Sequence, residues 1–231
     1  MPHLDESQMN TRRTRIKICG LTRESDVVDA VAAGADAIGL VFYGASPRGI
    51  TAARAAQLLQ HVPPFVTAVG LFVNATPDEV VQIIRLAPIS LLQFHGDETS
   101  DACAAIAAAV NRPFVRAVRV GSATTAQDLL EYSSTYRATG PLFAGLLLDA
   151  MVEGYGGGGK VFDWSIIPEE LAPQVVLSGG LSARNATDAV QRVRPFAVDV
   201  SSGVEIAKGI KDASAMRDFV TAVRQGDALQ R

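Results

Sequence analysis

Cysteine, tryptophan and long apolar runs are all scarce in this sequence. Only Cys19 and Cys103 occur among 231 residues. They could pair in principle, but two thiols in a chain of this size point to a reducing compartment, not to a disulfide scaffold. No uninterrupted apolar run reaches the roughly 18 residues of a membrane span. The opening stretch MPHLDESQMNTRRT has no apolar core of the kind a secretory signal needs. A formal net charge of −3 shows no basic excess, and no Lys/Arg tract marks a nucleic-acid or membrane surface. These absences predict a cytoplasmic protein with no nucleic-acid and no membrane partner.

What is abundant is Ala, Val, Leu and Gly. Hydrophobic residues make up 48% while aromatics make up 6%, a mix that suits helices packed over buried parallel strands. The length fits one α/β barrel, which typically runs to about 250 residues, although two smaller domains would also fit. Residues 1–14 read as a disordered extension, and residues 15–231 as the folded domain. Within it, short β-branched runs alternate with longer Ala-rich amphipathic runs. Strands are predicted at Arg15–Cys19, Ala37–Phe42, Thr67–Val73, Leu91–Phe94, Phe114–Val120, Leu142–Asp149, Val175–Ser178 and Ala197–Val200. Helices are predicted at Glu24–Ala33, Ala52–Gln60, Pro77–Leu86, Asp101–Ala109, Ala126–Ser134, Ala183–Val193 and Ala213–Arg224. Thr76-Pro77, Ser182 and Asp212 look like helix starts. Even spacing without a linker favours a single closed (β/α)₈ barrel, with a doubly wound open sheet as the alternative. The sixth unit is the weak one: MVEGYGGGGKVFDWSIIPEEL offers only a short helix around Trp164–Leu171.

In such a barrel the site lies at the C-terminal ends of the strands. Polar and glycine-rich clusters fall at that end in six of the units: Lys17-Ile18-Cys19-Gly20, Ser46-Pro47-Arg48-Gly49, Gln93-Phe94-His95-Gly96-Asp97, Asp149, Ser178-Gly179-Gly180 and Asp199-Val200-Ser201-Ser202-Gly203. Each of the last two clusters alone reads as turn chemistry. Together, after the seventh and eighth strands, they read as a phosphate cradle built from backbone N–H groups. The run Gly154 to Lys160 fits P-loop glycine and lysine spacing, but Val161 stands where Ser or Thr should bind magnesium. A glycine-hinged loop over the site is the better reading there. Cys103, inside DACAAIAAAV, reads as helix packing. Cys19 reads either as a small buried hydrophobe or as a rim thiol. As a base it needs positive charge nearby, because an ordinary thiol (pKa about 8.5) is only a few per cent ionised at neutral pH; Lys17 is the candidate. Asp149 follows six largely apolar residues and is either a cap or a functional carboxylate. Arg48 is either a solvated charge or a fork for a carboxylate. No set of His, Cys and carboxylate residues has metal-site spacing.

The stretches KICGLT, ADAIGLVFYGASPRGI, VGLFVN, LLQFHGDE, LLLDA, GGGGKVFDW, LSGGL and VDVSSGVE, in this order, resemble the phosphoribosylanthranilate isomerases of tryptophan biosynthesis. The resemblance runs from Lys17 to about Val223. It implies that Cys19 is the general base and Asp149 the general acid. It also implies that Arg48 contacts the anthranilate carboxylate, and that Lys17, His95 and Asp199 line the substrate pocket. Gly179, Gly180, Ser201, Ser202 and Gly203 would hold the phosphate. The implied reaction is an Amadori rearrangement, made of proton transfers and needing no metal or redox cofactor. The implied partner is a small phosphosugar, and the expected state is a monomer or weak homodimer. The nearest rivals are another phosphosugar isomerase on the same barrel and a non-catalytic phosphate-binding barrel. The related histidine-pathway isomerase would carry an Asp where Cys19 stands, and a metal-dependent epimerase would need more strand-end histidines than His95.

Overall fold

Apolar runs too short for helices become buried parallel strands here, and the Ala-rich runs between them become the helices that cover those strands. The computed structural model describes residues 13–151 and 161–229. Eight parallel strands close into a barrel in sequence order: β1 (Arg15–Cys19), β2 (Ala37–Phe42), β3 (Thr67–Phe72), β4 (Leu91–Phe94), β5 (Phe114–Val120), β6 (Phe143–Ala150), β7 (Val176–Leu177) and β8 (Ala197–Val200). The seam is made by β8 pairing with β1, which sets Lys17 opposite Asp199. Every strand of the barrel has two neighbours, so the open doubly wound sheet is ruled out.

Among the described residues seven helices follow strands of the barrel: α1 (Glu24–Ala33), α2 (Ala52–Leu59), α3 (Pro77–Leu86), α4 (Ser100–Val110), α5 (Ala126–Arg137), α6 (Ala186–Val193) and, after the last strand, α7 (Ala213–Ala228). Their starts have local causes. The hydroxyls of Thr51, Thr76, Thr99 and Thr125 each accept a backbone N–H three residues on, and Thr76 forms a capping box with Glu79. Asp212 caps α7 through the N–H groups of Ser214 and Ala215. Ser182 does not cap a helix. Its own N–H is bonded to Asn185 Oδ1, and α6 begins only at Ala186.

Two further departures concern units six and eight. The helix expected around Trp164–Leu171 is replaced by two single 3₁₀ turns, at Trp164–Ile166 and Ala172–Gln174. Pro168 and Pro173 each remove a backbone donor and forbid a continuous helix. After β8 comes a small antiparallel hairpin, β9 (Glu205–Ala207) with β10 (Ile210–Lys211), that sequence periodicity does not reveal. Its arms are too short to show a period, and its turn contains Gly209 at φ +80°. The loop GYGGGGK and residues 1–12 lie outside the described residues. Cys19 and Cys103 are both free thiols. Among the described residues no helix is long and apolar enough to cross a membrane.

The core has two compartments because successive strand residues face opposite sides. Outward residues such as Ile16, Ile18, Leu40, Phe72, Phe94, Phe114 and Leu148 form the large cluster beneath the helices. Phe72, Phe94 and Phe114 on neighbouring strands pass ring to ring at 6.3 and 5.6 Å, so the few aromatics are concentrated on one flank. The end of the barrel where the strands begin is tied by charge. Thr14 donates through N–H and hydroxyl to Asp227, and Asp36 accepts from Arg13 and from the Ile16 N–H.

Burial pushes the Asp36 carboxyl up, but the Arg13 guanidinium and the Ile16 N–H outweigh it and hold the group below the ordinary carboxylate value. Its stabilisation is therefore present above that value and lost as pH falls through the lowered one. Asp36→Asn is expected to lower the urea midpoint at pH 7 and to leave it nearly unchanged near pH 2. A variant equally destabilised at both pH values would overturn this account.

Candidate active site

The strand period that sends Ile16 and Ile18 outward turns Lys17 and Cys19 into the barrel. Both are buried, at 6% and 5% exposure. Lys17 Nζ donates to Asp199 Oδ1 at 2.9 Å across the β1–β8 seam. Cys19 is paired with Gly39 of β2, where a Cβ would stand 2.6 Å from the Cys19 sulfur. Glycine at that position is what gives the thiol its room. Val41, Leu71 and Val73 pack against Cys19, so one wall of the lumen is apolar and the opposite wall carries charge.

The charged wall comes from β4, β6 and β8. His95 Nε2 lies 3.1 Å from Asp149 Oδ2, and Gln93 Nε2 lies 3.0 Å from His95 Nδ1. The imidazole is thus held between the Gln93 amide and the Asp149 carboxylate. Gln93 Oε1 is buried without a hydrogen-bond partner among the described residues. Asp199 sits above its ordinary value, raised first by burial and further by the Asp149 charge, against the pull of Lys17 and His95. Asp149 and Asp199 therefore face the same space, as do His95 and Lys17.

The two candidate phosphate loops meet. At Gly203 a Cβ would stand 1.9 Å from the Leu181 carbonyl, so the loop after β8 rests on the loop after β7 with no space for a side chain. Gly179 and Gly180 both have left-handed φ, at +85° and +64°. Their N–H groups have no acceptor among the described residues, and Asn185 holds the loop by donating to the Gly180 carbonyl at 3.0 Å. Ser201 donates its hydroxyl to the Cys19 carbonyl at 3.0 Å, while Ser202 and Gly203 lie in a 3₁₀ turn. Unpartnered N–H groups on close-approaching glycine backbone are what an anion needs.

Arg48 is not a solvated loop charge. Its side chain is 11% exposed and is forked onto Glu205 of β9, with Nε to Oε1 at 2.8 Å and Nη2 to Oε2 at 2.7 Å. Lys211 of β10, fully buried, donates to Glu205 Oε1 at 2.7 Å. Glu205 and Lys211 are the members of this region that sequence reasoning missed. Glu205 closes the matched stretch VDVSSGVE, but nothing local marks it, because its partners are 157 and six residues away. Among the described residues no group of three or more His, Cys, Asp or Glu side chains is placed to hold a metal ion.

Lys17 does not by itself bring the Cys19 thiol down. Burial raises the thiol above its ordinary value. Lys17 and Lys211 oppose that rise, and the neighbouring Asp199 charge reinforces it. The cation meant to help Cys19 is already engaged by Asp199.

Known proteins with this arrangement are readily found. The model of the family described as N-(5′-phosphoribosyl)anthranilate (PRA) isomerase matches residues 16–222. An N-(5′-phosphoribosyl)anthranilate isomerase from Herminiimonas arsenicoxydans is 67% identical, over 94% of this chain and 95% of its own length. Another, from Ralstonia nicotianae, is 55% identical, over 95% and 96% of the two chains. The crystal structure of the Thermotoga maritima phosphoribosyl anthranilate isomerase superposes with a TM-score of 0.80 at 39% identity, over 91% of this chain and 98% of that one. A second structure, of such an isomerase in complex with reduced 1-(o-carboxyphenylamino)-1-deoxyribulose 5-phosphate, superposes with a TM-score of 0.77 at 36% identity and the same coverage.

The electrostatics of Cys19 can be read directly by alkylation. In a Cys103→Ala background, Lys17→Met removes the cation that lowers the thiol and frees the Asp199 carboxylate that raises it. Both changes have one sign, so the iodoacetamide rate profile is expected to move to higher pH. An unmoved profile would show that Lys17 and Cys19 are not coupled.

Proposed function

We propose that this chain, which belongs to the N-(5′-phosphoribosyl)anthranilate isomerase family, converts N-(5′-phosphoribosyl)anthranilate into 1-(2-carboxyphenylamino)-1-deoxyribulose 5-phosphate, with Cys19 as general base and Asp149 as general acid. One observation carries the reading. Each candidate phosphate loop abuts one of the two proposed proton-transfer residues: a Cβ on Gly179 would stand 3.0 Å from Asp149 Oδ1, and Ser201 is bonded to the Cys19 carbonyl. A phosphosugar anchored by Gly179, Gly180, Ser201, Ser202 and Gly203 would thus lie with its ring between acid and base.

The chemistry follows from that placement. Asp149, oriented by His95, gives a proton to the ring oxygen, and the furanose opens to a Schiff base at C1′. The positive charge on that imine acidifies the neighbouring C2′–H. It also adds a positive charge to those of Lys17 and Lys211, which alone do not overcome the effect of burial on the thiol. Cys19 then takes the C2′ proton. The resulting enolamine tautomerises to the ketone by protonation at C1′, and no atom is gained or lost overall. Every step is a proton transfer between positioned groups. Arg48 offers its guanidinium to the anthranilate carboxylate, and the Lys17–Asp199 pair lines the pocket beside the thiol. This is the third step from chorismate to tryptophan, and we place it in the cytoplasm, where the free thiols of Cys19 and Cys103 stay reduced.

Cys19→Ser and Asp149→Asn are each expected to lower kcat by about 10²–10⁴-fold with the circular dichroism spectrum unchanged. Neither should complement a tryptophan auxotroph that lacks this step, whereas the parent chain should. Full turnover in either variant would overturn the assignment of that residue. Failure of the well-expressed parent to complement would favour a different phosphosugar.

A further inference from the structure

We propose that Glu205, backed by Lys211, is a positioning residue that presets the Arg48 guanidinium to receive the substrate's carboxylate. The inference rests on the reading of Arg48 given above and adds to it two residues from a hairpin that carries none of the proposed proton-transfer groups.

The geometry is specific about which edge of Arg48 is used. Glu205 takes Nε and one N–H of Nη2, the side-on fork. A guanidinium has five N–H donors, so three remain: two on Nη1 and one on Nη2. One on Nη2 and one on Nη1 form the end-on edge, while the third, on Nη1, points back beside Cδ; among the described residues no other side-chain bond of Arg48 occupies that edge. An end-on fork accepts a second carboxylate in bidentate fashion. The stem is fixed as firmly as the head. It lies across Gly20, where a Cβ would stand 2.4 Å from Arg48 Cδ. The Val41–Gly49 bridge pins the loop that carries it. Gly209, in the β9–β10 turn, is packed so closely on that loop that a Cβ there would stand 3.0 Å from the Pro47 carbonyl.

Charge explains why Lys211 belongs to the device. An arginine neutralised by a glutamate would attract a second carboxylate only weakly. Lys211, wholly buried and sharing Glu205 Oε1 with Arg48 Nε, supplies a second positive charge, so two cations face one carboxylate and the cluster keeps a net positive charge for an anionic ring substituent. The Lys211 ammonium also bonds the Ser201 carbonyl at 3.1 Å. Ordering of the arginine is completed on folding, and none of it is left for the moment of binding.

The test is a set of steady-state measurements on full-length variants. Glu205→Gln keeps the shape and removes the charge. It is expected to raise KM for N-(5′-phosphoribosyl)anthranilate about tenfold and to leave kcat within about threefold, because the lost contact is made equally in ground and transition states. The inhibition constant of ribose 5-phosphate, which has a phosphate but no carboxylate, should not move. In an Arg48→Ala background the same substitution should add nothing. Glu205→Asp, which restores the charge at shorter reach, should recover part of the affinity and gives the same reading if the glutamine variant does not fold. Equal weakening of ribose 5-phosphate, or a full additional KM rise on top of Arg48→Ala, would mean a merely structural ion cluster and would overturn the proposal. If Arg48→Ala raises KM while Glu205→Gln does not, the proposal fails and the reading of Arg48 stands. If Arg48→Ala leaves KM unchanged, that reading fails and takes the proposal with it.

Discussion

The Lys17–Asp199 ion pair, closed inside the barrel where the last strand meets the first, is the constraint from which the rest of the site follows. A buried carboxylate and a buried ammonium are each costly to remove from water and are tolerated only when paired. Pairing at 2.9 Å is possible only if β8 meets β1 with Asp199 opposite Lys17. A slip of one residue would turn the whole inward set outward. The pair thus fixes the closing register. With that register fixed, Cys19 points inward two residues beyond Lys17, and Ser201 emerges two residues beyond Asp199 in reach of the Cys19 carbonyl.

From that seam the lumen divides into unlike walls. The β2 and β3 side is apolar, through Val41, Leu71 and Val73. The side made by β4, β6 and β8 carries Gln93, His95, Asp149 and Asp199, all buried. A thiol set between these walls is poorly solvated and is raised by burial. The Asp149 carboxylate on the polar wall is held by the His95 ring. Cys19 and Asp149 thereby occupy unlike surroundings inside one cavity, and unlike surroundings are what let one site hold both an acid and a base.

Much of the fold was readable because it rests on local rules. Helix starts at Thr51, Thr76, Thr99 and Thr125 are side-chain caps that need only the next three residues. The strands read clearly where apolar runs were long, as in β5 and β6. Even β7, with only two residues in the ladder, falls inside the expected Val175–Ser178. The misreadings fall where local rules are weakest. The prolines after Trp164 broke a helix that composition alone suggested. The β9–β10 hairpin carries too few residues to announce itself.

The sequence by itself determined the alternation of strand and helix, which favours a barrel over an open sheet, and the clustering of Lys17, Cys19, Arg48, His95, Asp149, Asp199 and the glycine-rich loops at the strand ends, because period, caps and strand ends are properties of neighbouring residues. Only the tertiary structure decided what each of these groups touches. That Lys17 is spoken for by Asp199, that His95 leans on Asp149, and that Arg48 is gripped by Glu205 are all contacts between residues far apart in the chain. Their charges are set by burial and by partners, and both exist only once the barrel has closed.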